Sequence, residues 1–252
     1  MSLYSEILAD SPTHWWRMAD GASAILHDIG SSPWHAAANG ATQFAGYTGV
    51  EDGAGSQFSN SSTGVGLQDD TVTIASPITV EAWFWQLRTR SSAEATMVEI
   101  GDPTRRWAIY REGNGTVAGY VSGVIPNPVS PTLAVRTWHQ VAIVYDEAHA
   151  FLYANGSQIA SIANTGHVST ACQIHFGETA AAGSLLDGFL GDVAIFATAL
   201  SASRIAAHFN AVTSPPTPVA SGNAGSAFAP SGGFQTVGAE LDAILHAVQK
   251  TY

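Results

Sequence analysis

The side chains able to do chemistry in this chain are scattered acids, nine histidines and seven tryptophans. Glycoside hydrolysis needs two carboxylates facing each other across a cleft, about 5 Å or about 6.5–9.5 Å apart. Glu81 stands alone between Val80 and Ala82, and Asp69 and Asp70 are adjacent, so on a strand those two point to opposite faces. No G-x-S-x-G turn presents a serine to one of the histidines. No H-E-x-x-H is present and Cys172 is the one cysteine, which leaves a zinc site unsupported. His139 follows Trp138 inside a strand-like run and reads as structural. Spacing and residue type therefore predict no catalytic residues and a non-enzymatic protein. Sugar binding asks for less, an exposed aromatic ring with polar groups beside it. Trp34 and Trp107 lie near loop or strand ends and are the candidates for a glycan platform, while Trp83 and Trp138 belong to fold-defining runs and read as core.

The elements that must position these residues are mostly strands. Thr137-Trp138-His139-Gln140-Val141-Ala142-Ile143-Val144-Tyr145-Asp146 and Phe151-Leu152-Tyr153-Ala154-Asn155-Gly156-Ser157-Gln158-Ile159 are rich in β-branched and aromatic residues, each with a face for a core. Asn155-Gly156 supplies two residues that accept positive φ, as a tight turn between twisted antiparallel strands requires. In Ile78-Thr79-Val80-Glu81-Ala82-Trp83-Phe84-Trp85, alternation separates Val80, Ala82 and Phe84 from Glu81, Trp83 and Trp85, and both faces carry bulk. Residues 97–100 read as the next strand, and residues 107–111 pair with 117–121 across Asn114-Gly115. Pro126, Pro128 and Pro131 mark an exposed connection, because proline cannot donate to a ladder. A short helix opens the chain through Leu3, Tyr4, Ile7 and Leu8. Another follows Ser201, which can cap it, with Leu200 and Ile205 as a staple and Ile205, His208, Phe209 and Val212 along one face.

Pro215, Pro216 and Pro218 stop that helix. The expected organisation is a domain over residues 1–213, a Pro/Gly/Ser/Ala-rich linker over 214–235 and an amphipathic helix over 236–252. Leu241, Ile244, Leu245 and Val248 recur at spacings of three and four and form the stripe expected to dock on a partner chain.

Composition narrows the function. The chain of 252 residues is 46% hydrophobic and 12% charged, too apolar for disorder and long enough for one large β domain. Its net charge is −11 and Lys250 is its one lysine, so it repels phosphate backbones and anionic membranes, and no nucleic-acid partner is expected. No apolar stretch approaches the ~20 residues of a span, so no membrane insertion is expected. The opening residues show no basic region before an apolar run, which predicts no signal peptide. With a lone cysteine the fold must stand on core burial rather than an intrachain disulfide.

W-H-x-V-A-x-x-Y-D followed by L-Y-x-N-G resembles the central hairpin of laminin-G-like, concanavalin A-like jelly rolls. The run Asp187-Gly188-Phe189-Leu190-Gly191-Asp192-Val193-Ala194-Ile195-Phe196 resembles that family's closing signature, displaced by one residue at the acid. Asp28-Ile29-Gly30 followed by Trp34-His35 approximates its early turn. The resemblance implies an all-β fold, a two-sheet antiparallel jelly-roll sandwich, to which the periodicities above add a short packed helix and a C-terminal helical tail. It also implies calcium as an optional ion at the sandwich rim, with Asp69, Asp70, Asp187 and Asp192 as candidate ligands; no cofactor is otherwise required. The phrase Y-x-x-x-L-A-D-S-P-x-x-W-W-R is similar to the opening of laminin-G-like proteins of bacteriophage tails. The function this implies is a virion structural protein, a minor tail component or capsid decoration at the virion surface, made in the host cytoplasm. Its expected partners are other virion proteins or further copies of itself through the C-terminal segment, and host surface glycans. The alternative is a free carbohydrate-binding lectin, calcium-dependent in one form.

Overall fold

The computed structural model describes residues 2–18, 20, 25–37, 46–47, 50, 55–58, 72–74, 76–87, 95–102, 105–121, 132–163, 170–177 and 186–212. Asp69, Asp70, the linker at 214–235 and the segment 236–252 with Leu241, Ile244, Leu245 and Val248 lie outside the described residues. In chain order the elements are α1 (Leu3–Ala9), β1 (His14–Trp16), β2 (Ile25–Leu26), β3 (Ala36–Ala37), β4 (Gly46–Tyr47), β5 (Gly55–Phe58), β6 (Val72–Ile74), β7 (Ile78–Gln86) and β8 (Ala95–Asp102). They continue as β9 (Arg105–Arg111), β10 (Val117–Val121), β11 (Trp138–Tyr145), β12 (His149–Ala154), β13 (Ser157–Ala163), β14 (Thr170–Cys172), β15 (Ile174–Phe176), β16 (Gly188–Phe196) and α2 (Ala202–Ala211).

The strands form the expected two-sheet antiparallel sandwich. The larger sheet runs β13-β12-β11-β7-β16-β5-β4, and β1 pairs with the far end of β16, Trp15 opposite Ala194. The smaller runs β10-β9-β8-β15, and two short ribbons, β14-β6 and β2-β3, complete the described strands. Asn155 and Gly156 both take positive φ, 49° and 76°, and turn β12 back into β13, the conformation a two-residue hairpin between twisted strands requires.

Bulk on both faces of β7 has a simple cause: the strand lies in the middle of three layers. Val80, Ala82 and Phe84 face the smaller sheet and join Val98, Trp107, Ile109, Ile143, Leu152 and Phe176 in the inter-sheet core. Trp83 and Trp85 face the other way, into a second cluster with Leu3 and Ile7 of α1 and Ile205 of α2. Both helices therefore lie on the outer face of the larger sheet. Ser2 and Ser201 cap them, accepting from the backbone N–H groups of Ser5 at 3.1 Å and Arg204 at 3.4 Å. Leu200 and Ile205 are buried together in that outer cluster, as a hydrophobic staple requires. The α2 helix seats on the Asn155-Gly156 turn, where a Cβ at Gly156 would stand 3.1 Å from Cβ of Phe209. Phe209 in turn stacks on Trp83, ring centroids 6.0 Å apart and nearly parallel.

Trp107 corrects an expectation. It is 1% exposed, and its ring meets Tyr145 edge-on at 5.3 Å across the gap between the sheets. Its place near a strand end suggested exposure, but residues 107–111 alternate inward from the first position, so the indole enters the core. It offers no platform for a glycan.

Candidate functional site

In one region of the described surface, loop, helix end and strand end converge on an opening. It is built around Asp28, which is 2% exposed and whose carboxylate takes four hydrogen bonds. Oδ1 accepts from the backbone N–H groups of Trp15 at 2.7 Å and Gly30 at 2.8 Å. Oδ2 accepts from Nδ1 of His14 at 2.8 Å and from the backbone N–H of Trp34 at 2.7 Å. The backbone of residues 29–32 is tied down as well: Ile29, Ser31 and Ser32 donate to the carbonyls of Trp15, Pro12 and Thr13. Gly30 passes so close to the Thr13 carbonyl that no Cβ would fit. A short-range aspartate turn thus becomes a rigid loop nailed to β1.

Between this loop and the end of α1 lies a cleft of about 220 Å³, lined by Leu8, Ser11, Pro12, Ile29, Gly30 and Ser31. Leu8 and Ile29 are 53% and 47% exposed, so its apolar walls stand open to solvent. Pockets that enclose a drug-sized ligand run to roughly 300–1,000 Å³, and this opening is smaller. Its lining contains no carboxylate, histidine or cysteine. Asp28 lies beneath the loop with all its lone pairs engaged, and the partner of His14 is Asp28 rather than a serine.

The glycan candidate Trp34 is on the same loop but does not line the cleft. It is half-buried, meets Trp16 edge-on at 6.4 Å, and its carbonyl accepts from Nε1 of Trp16 at 3.2 Å. Its own Nε1 has no partner. The two candidate calcium ligands among the described residues are buried. Oδ1 of Asp192 accepts from Nε1 of Trp15 at 2.8 Å and lies 3.6 Å from Nε of Arg17, so a calcium ion there would have to displace both. Asp187 is 5% exposed, and its backbone carbonyl accepts from Leu87. Among the described residues no three His, Cys, Asp or Glu side chains gather as a metal-holding group. His139 has the structural role expected of it: Nε2 donates to the carbonyl of Ala134 at 2.9 Å, and Nδ1 accepts from Nδ2 of Asn155 at 3.1 Å.

A second constellation joins residues that look isolated along the chain. Glu81 on β7 is 1% exposed and His208 on α2 fully buried. Nδ1 of His208 meets Oε2 of Glu81 at 2.7 Å, and Nε2 meets Oδ2 of Asp10 at 2.9 Å. Arg204 closes the group, its Nε on both oxygens of Asp10 and its Nη2 on Glu6 at 2.8 Å. Gln140 completes the floor, donating from Nε2 to Oε1 of Glu81 and to the carbonyl of Ile205, while its Oε1 accepts from the backbone N–H of Gly156. Burial alone would push the His208 imidazolium down, but the two carboxylates raise it above the ordinary histidine value. The available signal was a polar residue on each of two buried faces: Glu81 between Val80 and Ala82, and His208 three residues after Ile205. Their pairing requires knowing that α2 crosses β7.

With the fold and the cleft established, the likenesses of the chain can be placed. The family model described as the concanavalin A-like lectin/glucanases superfamily matches residues 58–206. No curated protein matches the chain in sequence. The botulinum neurotoxin serotype D ligand binding domain, solved in complex with N-acetylneuraminic acid, is similar in structure with a TM-score of 0.59 at 18% identity, over 83% of this chain and 52% of that one. The serotype G binding domain gives 0.55 at 15% identity, over 79% and 50%. The Trypanosoma rangeli sialidase in complex with sialic acid gives 0.57 at 13% identity, over 79% and 32%. The chain spans about half the length of the neurotoxin domains it resembles, and at these identities the likeness is one of fold. The match of the family model over the sandwich, together with the strand order, shows that the chain belongs to the concanavalin A-like lectin/glucanases superfamily.

Proposed function

We propose that this chain is a non-enzymatic recognition domain that binds glycans, carried on a bacteriophage particle as a minor tail component or capsid decoration. The observation that carries the binding half of the reading is the open cleft beside residues 28–35, with its exposed apolar walls, two serine hydroxyls and no carboxylate in the lining. Sialic-acid complexes of two proteins of similar fold support a sugar as the ligand class. The virion setting is supported by the likeness of the opening residues to phage tail proteins. Those residues form α1 and β1 and build one wall of the cleft. On this reading the segment after α2 docks on other virion proteins or on further copies of the chain.

The second reading, a free lectin, rests on the same cleft without the particle. Two measurements separate these outcomes. Antibody-gold labelling of purified particles from the source decorates tail or capsid if the chain is a virion part, and leaves particles bare if it is a free lectin. A glycan array probed with the full chain returns a defined set of sugars, and that set is lost on Ile29→Glu. An array with no signal at any sugar overturns the glycan reading whatever the labelling shows.

A further inference from the structure

His208 has a carboxylate oxygen at each ring nitrogen: Glu81 from β7 on one side and Asp10 from the end of α1 on the other. An ionised carboxylate can only accept, so both nitrogens must donate, and the ring that satisfies this geometry is the imidazolium. The other charged groups facing the cluster are Arg204 from α2 itself and Glu6 from α1. From β11 comes the neutral amide of Gln140, and from β16 the ring of Phe196, 5.9 Å away.

We propose that His208 is a proton-operated clamp that holds the second half of α2 against the sheet and lets it go when the proton is lost. A neutral imidazole donates from one nitrogen only, so one buried carboxylate then faces a lone pair at a distance set for a hydrogen bond. Asp10 keeps Arg204 at the start of α2, and Glu81 keeps Gln140. The contact that fails is therefore the one at His208, one turn further along, next to Phe209 and to Val212, where the chain leaves the helix. The sign follows from linkage. A histidine whose folded-state proton affinity is raised contributes stability that is complete below the ordinary value of 6.5 and is lost as pH rises through the folded value. Release is thus an alkaline event, and it frees residues 206–212 without opening the sandwich.

Hydrogen exchange of the full chain tests this, read in peptides from α2 and from β11 on both sides of neutrality and corrected for intrinsic exchange. The expected result is a loss of protection in residues 206–212 of up to about tenfold per pH unit from 6.5 up to the His208 midpoint, levelling off above it, with β11 unchanged. Long-range nitrogen spectra of the wild-type imidazoles give a readout that needs no variant. Both nitrogens of His208 should be protonated at neutral pH and lose a proton at the same midpoint. Glu81→Gln removes one of the two anions and should move that midpoint to lower pH. A neutral His208 at pH 6.5, protection in α2 that falls only together with β11, or a Glu81→Gln midpoint equal to wild type would each overturn the clamp.

Discussion

Glu81 and His208 are 127 residues apart in sequence and share a buried hydrogen bond of 2.7 Å. It joins the central strand of the larger sheet to the last described helix, and Asp10 extends it to the first. Both ends of the described chain are thereby fastened to one point on the outer face of the sandwich. A buried ion pair is a poor source of net stability, because desolvation offsets the attraction. Removing one member is costly, since it strands the others.

Asp28 gives the most direct test of the cleft. Four donors converge on its carboxylate, and Asp28→Ala leaves the backbone N–H groups of Trp15, Gly30 and Trp34 without their acceptor. The expected loss is about 2–4 kcal/mol of unfolding free energy, since charge-assisted bonds contribute roughly 1.5–3 each and water replaces some. Urea denaturation measures it. An unchanged midpoint would show that the loop is held by other contacts.

The cleft walls should separate binding from folding. Leu8 and Ile29 are exposed, so Leu8→Glu and Ile29→Glu are expected to shift stability by no more than about 0.5 kcal/mol, as surface substitutions do. Sugar binding in titration calorimetry should fall at least tenfold for both. Full binding by both variants would move the site elsewhere on the domain.

Trp107 should behave as a core residue and not as a ligand platform. Trp107→Ala removes an indole packed against Tyr145 between the sheets and is expected to cost about 3–5 kcal/mol. Thermal denaturation followed by near-ultraviolet circular dichroism reads both the loss and the change in aromatic packing.

Acid should destabilise the domain through two other histidines. Burial holds the His175 and His139 imidazoles below the ordinary histidine range, and both ring nitrogens of His175 lack a partner. The unfolded chain therefore takes up protons first. The contribution of these groups is complete above about pH 6.5 and is lost as pH falls below it. His175→Leu removes a buried unsatisfied group and should raise stability at neutral pH by roughly 1 kcal/mol. The difference between variant and wild type should widen as pH drops from 7 to about 5. A constant difference would mean that His175 does not titrate in this range.

Truncation after Val212 tests the organisation of the chain. The expected product has the thermal midpoint of the full chain and a lower association state in light scattering. Unfolding of the truncated chain would instead place the terminal segment in the core.

Residue pattern alone reached far into this protein. Alternation and β-branched density marked β7, β8, β9, β10 and β11, and Ser201 with Leu200 and Ile205 marked the start of α2. Asn155-Gly156 marked the tight turn at which β12 gives way to β13. These are short-range signals, because a turn or a cap is decided by residues within a few positions of one another. The Asp28 turn was legible only through the family resemblance, and nothing in its spacing showed that four donors meet there.

What the sequence left open was which side of a strand faces what. Trp83 and Trp107 are both tryptophans in strands, and both are buried in different layers, Trp83 under the helices and Trp107 between the sheets. The same limit concealed the cluster of Glu6, Asp10, Glu81, Arg204 and His208, drawn from three elements that no local pattern relates. By itself the sequence determined the strand class, the turn at Asn155-Gly156, the helix cap at Ser201 and the family, since these depend on side-chain type and close spacing. Tertiary structure alone decided the cleft between Leu8 and Ile29 and the raised proton affinity of His208. A cleft is a gap between elements, and a proton affinity is set by whichever carboxylates the fold brings within hydrogen-bond distance.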